Sequence, residues 1–137
     1  MPHTPAHIAK EIMFAKDKFS QLLGMQITAI TKGSATVTLK VKDNMTNGFG
    51  IAHGGITYSL ADSAFAFACN SLGQVAVSAE TAISHMSKVV AGDELSATAN
   101  MIQRSRRLGR FEVKVINQDG KLVADFKGTC FFTEKEH

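Results

Sequence analysis

Between Asp43 and Glu80 only Asp62 is certain to carry charge at neutral pH, and it stands in the otherwise apolar run HGGITYSLADSAFAFACNS, His53 to Ser71. An ionised carboxylate among apolar neighbours is costly unless something compensates it. Two readings are open: Asp62 satisfies nearby backbone amides or a distant Arg, or it serves a site as base or nucleophile. The residues ahead of it favour the second. Gly54 and Gly55 precede the apolar run, where free backbone N–H groups and the dipole of a following helix would stabilise a developing oxyanion. Asp62 comes seven residues after Gly55, which on a helix is nearly the same face but about 10 Å further along the axis. One small reacting centre cannot touch both groups of one helix. Two antiparallel copies across a two-fold axis would set Asp62 of one against Gly55 of the other, making two composite sites.

His53, immediately before the glycines, is placed to orient a carbonyl, shuttle a proton or simply cap the loop. Asn47 offers an amide that would position water or a carboxylate, or serve only as a turn residue. Cys69 follows Asp62 by a further seven residues; in an apolar helix a small buried hydrophobe is the simpler reading than a nucleophile. His53, Asp62 and His85 lack the short paired spacings of zinc motifs, so no metal and no cofactor are expected. Arg104, Arg106, Arg107 and Arg110, in RSRRLGR, would either grip phosphates or form a solvated turn. No aromatic residues are interleaved with them, and nucleic acid is not the expected partner.

The elements that must position these residues follow from periodicity. Apolar residues from Ala6 to Leu23 recur at helical spacing, and Gly24 ends that segment. MQITAITKGSATVTLKVK alternates on both sides of Lys32-Gly33, the pattern of a hairpin. The Gly- and Asn-rich segment DNMTNGFGIAHGG reads as a loop leading into a helix that begins at Ile56 and ends within Asn70 to Gly73. That helix is apolar nearly all round and so should be wrapped by sheet. Strands are expected at Val75–Ser84, Glu94–Gln103, Phe111–Asn117 and Leu122–Phe132, with turns at Leu108-Gly109 and, as a type I′ hairpin, at Asp119-Gly120. The class is α+β: a six-stranded antiparallel sheet around a long helix, with an N-terminal helix. One helix cannot cover both faces of such a sheet, and an exposed edge or face predicts an oligomer.

A chain of 137 residues, 45% of them hydrophobic, fits a single domain, 1–137. The formal charge of +3 favours anionic ligands only weakly. Two cysteines without CxxC spacing read as reduced thiols, and the charged start MPHTPAHIAKEIMFAKDKF lacks the apolar core of a signal peptide. With no run long enough for a membrane span, the expectation is a cytoplasmic protein with no membrane partner.

The pattern formed by Asn47, His53, Gly54, Gly55 and Asp62 resembles that of the hotdog-fold acyl-CoA thioesterases, most of all the PaaI-like type of phenylacetate catabolism. The likeness runs from about Gly24 to Phe132 and includes SLADSAFAFACNS, AGDEL at Ala91 to Leu95, and VADFKGTCFF. It implies a sheet wrapped around the helix, a homodimer with a continuous sheet and sites at its interface, and a homotetramer of two such dimers. It also implies that the Gly55 N–H polarises the thioester carbonyl of an acyl-CoA, with an aromatic, phenylacetyl-type acyl group. Asp62 of the opposite subunit then acts as general base or nucleophile, Asn47 orients water or the carboxylate, His53 lies beside the thioester and Ser78 assists the attacking water. Arg104, Arg106 and Arg107 are the candidates for gripping CoA. The chain departs from the family before the Gly-Asp, where many members have a Phe and then a Pro and this chain reads SHMSKVVAGDEL, with His85 and Lys88 in that neighbourhood; the strand edge next to the acyl pocket, and with it the acyl specificity, is expected to differ. An enoyl-CoA hydratase or dehydratase on the same fold, and a non-catalytic acyl-CoA or RNA binder, are the alternatives.

Overall fold

The computed structural model describes residues 2–137. Six strands form one antiparallel sheet: β1 (Gln26–Thr31), β2 (Ser34–Lys40), β3 (Gln74–His85), β4 (Glu94–Arg104), β5 (Leu108–Ile116) and β6 (Leu122–Glu136), in the order β1-β2-β4-β5-β6-β3. Three helices accompany them: α1 (Pro5–His7), α2 (Lys18–Leu22) and α3 (Gly54–Asn70). The expected α+β architecture is present. Period-2 alternation decides which face each strand buries: Ala35, Val37 and Leu39 of β2, and Phe111, Val113 and Val115 of β5, point inward between exposed or half-buried neighbours. The long helix α3 lies against that inner face, and its Ala61, Ala64 and Ala68 are fully buried. Phe65 meets Phe111 edge-on and lies tilted on Phe126, with centroids 5.8 and 5.6 Å away.

Several local expectations need correction. The N-terminal segment is not one helix over Ala6–Leu23. A π turn at Ile8–Met13 and a 3-10 turn at Phe14–Lys16 follow α1, and Asp17 then leaves helical geometry to cap α2. Its carboxylate accepts from Ser20 N, the competition with helix continuation that short polar side chains offer. Helix α3 starts at Gly54, so Gly54 and Gly55 form its first turn and do not precede it. Leu108-Gly109 opens β5, and the turn falls at Ser105–Arg107. A side chain at Gly109 would lie 2.8 Å from the Phe132 ring, so this glycine serves close packing. Nor is the Asp119-Gly120 turn of type I′, because among the described residues no non-glycine has positive φ. Asn117 Oδ1 accepts from Asp119 N and Lys121 N, and that side-chain cap holds the loop.

The strand order leaves β3 at a free edge, paired only with β6, and its Val77 is 52% exposed. An apolar strand edge of this kind is a template for pairing with another chain.

Candidate active site

The loop before α3 is held by its own backbone. His53 N donates to Met45 O (2.9 Å), Ala52 N to Val89 O (2.8 Å) and Asn47 N to Ile51 O (2.7 Å). Asn47 Oδ1 accepts from Phe49 N at 2.9 Å and Ile51 N at 3.3 Å, which commits its acceptor to the turn and leaves the amide NH2 as its available donor. His53 adopts extended geometry and caps α3: its Nδ1 accepts from Gly55 N at 2.8 Å. The N–H singled out in the sequence is therefore held by the His53 ring in this conformation. His53→Ala removes that cap and is expected to cost about 0.5–2 kcal/mol, as N-cap losses do, measurable by urea unfolding.

A second imidazole, overlooked as a site residue in the sequence, sits at the same helix start. A Cβ on Gly54 would lie 3.3 Å from His85 Nε2, so the end of β3 brings His85 over the first turn of α3. In the sequence it is weighed only as a metal ligand and as part of the departure from the family. Beside Gly55 and His53 opens a cleft of about 350 Å³ whose apolar walls include Phe19, Leu23, Met45 and Ile56. Phe19 belongs to α2, so the N-terminal segment helps to shape this space.

Asp62 is half-buried two turns further along α3. Burial pushes its carboxyl above the usual range, and the nearby Asp17 carboxylate pushes the same way. From the rise of an α-helix it stands about 10 Å from Gly55 of its own chain. The structure does not bring the two together within one subunit. Ser78 lies exposed on β3 opposite Cys130, seven residues before His85 and hence roughly 23 Å up the strand. It too lies away from its own Gly55, towards the C-terminal half of α3.

The arginines sit at the other end of the helix. Arg104 donates to Gln74 Oε1, just beyond the end of α3, and its guanidinium lies 4.0 Å from the Phe132 ring centre. Arg107 pairs with Glu134 at 2.7 Å and depresses its carboxyl pKa. Arg106 is exposed and takes part in no ion pair among the described residues. Arg104 likewise has no ion pair among the described residues, but its guanidinium is engaged by Gln74 and Phe132.

Cys69 is no nucleophile here. It is buried, and burial with the Cys130 thiol beside it drives its pKa far up. A maleimide is expected to label neither cysteine in the native protein and both after unfolding. Among the described residues no three His, Cys, Asp or Glu side chains come together as metal ligands, and no helix is long and apolar enough to cross a membrane.

A family model described as the thioesterase superfamily matches residues 49–124, the span that carries His53, both glycines, Asp62 and the edge strand β3. The chain belongs to the thioesterase superfamily. Among its relatives is the acyl-coenzyme A thioesterase PaaI of Escherichia coli (strain K12), 40% identical over 116 residues that cover 85% of this chain and 83% of that protein. The solved structure of the E. coli PaaI protein from the phenylacetic acid degradation operon superposes with a TM-score of 0.92 at 36% identity, covering 96% of each chain. A protein of Streptococcus mutans UA159, solved bound to acetyl CoA, superposes with a TM-score of 0.79 at 29% identity over 82% of this chain and 91% of its own. The six-stranded sheet with its enclosed helix is thus the hotdog fold.

Proposed function

We propose that this thioesterase-superfamily member hydrolyses acyl-CoA thioesters in composite sites shared by two subunits. The observation that carries the reading is the seven-residue separation of Gly55 and Asp62 on α3. The distance forbids a site within one chain and suits one between antiparallel helices of a dimer joined at the free β3 edges. The names of the E. coli relative and of the acetyl-CoA-bound neighbour supply the substrate class.

In this reading the thioester carbonyl oxygen displaces His53 Nδ1 from the Gly55 N–H and sits at the amino end of the α3 dipole. Asp62 of the partner subunit takes a proton from water, whose oxygen bonds to the carbonyl carbon while the C=O electron pair moves onto the oxygen held by Gly55. Collapse re-forms C=O, breaks C–S and expels CoA thiolate, which takes the proton that Asp62 had accepted from water and so restores the carboxylate. In the nucleophilic variant Asp62 attacks directly, CoA leaves and water cleaves the resulting anhydride. Single-turnover hydrolysis in heavy-oxygen water separates the two, since only the anhydride route puts label into Asp62.

Asn47 points its amide NH2 at the reacting group, and Ser78 reaches the attacking water from the partner's side together with Asp62. The apolar cleft beside Gly55 takes the acyl group, an aromatic, phenylacetyl-type one by analogy with the phenylacetic acid operon protein. Arg106 is the best placed of the three arginines for CoA phosphate. Because the cluster lies at the far end of its own α3, any such contact comes from the other subunit. Two dimers associate into the tetramer, and light scattering checks the mass.

A mixing experiment tests the shared site. Asp62→Asn and Gly55→Val are each inactive alone. Dissociated and reassociated in equal amounts, they form heterodimers with one intact Gly55–Asp62 pair, and about a quarter of wild-type activity returns. No recovery from verified heterodimers excludes the composite site.

A further inference from the structure

The N-terminal segment is tied to α3 at the turn that carries Asp62. Asp17 Oδ1 accepts from Ser20 N at 3.0 Å, and Asp17 Oδ2 accepts from Ser20 Oγ at 2.6 Å. Ser20 Oγ lies 2.8 Å from Ser63 Oγ. A hydroxyl has one proton, and Ser20 gives its own to Asp17, so Ser63 is the donor in the last link. Ser20 is 1% exposed, and Ser63 is the residue after Asp62. A part-buried polar chain with every link made helps to fix how two elements sit against each other. What this one fixes is the place of a carboxylate.

We propose that Asp17 is a positioning residue for Asp62: from the N-cap of α2 it is latched through Ser20 to Ser63, and so holds a second carboxylate against the turn of α3 that carries the reacting one. The inference rests on the composite-site reading, in which Asp62 is the reacting carboxylate. The other titratable group that faces Asp62 in the same subunit is Cys69, further along α3, whose buried thiol is neutral. Two carboxylates in a partly dehydrated space resist joint ionisation. Asp62 becomes a better proton acceptor at the cost of titrating at higher pH, and the acid limb of kcat/KM reports that ionisation in the free enzyme.

Asp17→Asn is the discriminating variant, because Asn caps a helix as well as Asp does and carries no charge. It is expected to unfold at the wild-type temperature, to move the acid limb of kcat/KM to lower pH, and to lower the plateau severalfold as the base weakens. Asp17→Glu restores the limb towards its wild-type position. Ser63→Ala cuts the latch but keeps the charge, and shifts the limb less, in the same direction. If Asp17→Asn loses activity with the limb unmoved, or changes nothing, while Asp62→Asn is inactive, Asp17 has no such role and the composite-site reading stands. If Asp62→Asn retains wild-type rates and the wild-type acid limb, that reading fails.

Discussion

Asp62→Asn is expected to fold, to bind acyl-CoA and to lose about 10²–10⁴-fold in kcat, the usual worth of a positioned general base. Steady-state hydrolysis followed with a thiol reagent gives kcat, and isothermal titration with a non-hydrolysable acyl-CoA analogue gives binding. A variant with full activity ends the assignment of Asp62. The same substitution also makes a stability prediction of known sign. Burial first, and Asp17 second, raise the Asp62 pKa in the folded chain. The folded state therefore holds this proton more tightly than the unfolded state, and the unfolding free energy falls as pH rises from the ordinary carboxylate range through the folded pKa. Asn has no charge to desolvate. Its urea midpoint should exceed that of the wild type above this window and match it below. A variant less stable at neutral pH would show that the carboxylate is compensated in the native protein. Activity lost and stability gained together are the mark of a group placed for chemistry.

The largest structural effect is expected at Gly128, on β6 beneath the middle of α3. A Cβ built there would lie 2.7–2.8 Å from three atoms of the Phe65 ring. That ring is 1% exposed and locked between Phe111 and Phe126, so it cannot yield. Gly128→Ala should cost about 1–3 kcal/mol by overpacking, and Phe65→Ala about 3–5 kcal/mol by truncation. The two are coupled through one volume. In the Phe65→Ala background the added methyl enters vacated space, and its cost should fall well below the single-variant value. Urea unfolding of the four proteins gives the cycle, and strict additivity would mean that the methyl and the ring do not meet.

Much of this fold was legible because its signals are local. The alternation in SATVTLK and FEVKV needs no partner to be read, and each segment forms a strand with the expected face inward. The errors fall where a side chain overrides a pattern. Periodicity carried the N-terminal helix through Asp17, but its carboxylate turned back onto Ser20. Gly109 passed for a turn residue when it is a packing residue under Phe132. Asp119-Gly120 passed for a type I′ turn because the influence of Asn117 is invisible in the dipeptide.

The sequence by itself determined the class of fold, the family likeness and the pairing of a helix start, HGG, with a carboxylate seven residues on. Those depend on residue type and spacing, which covalent geometry converts directly into faces and distances. Only the tertiary structure decided what occupies the Gly55 N–H, which imidazole leans over Gly54, and which distant carboxylate stands near Asp62. Such contacts join residues far apart in the chain, and they depend on how α2, β3 and α3 pack together. No local pattern in any one of those segments encodes them.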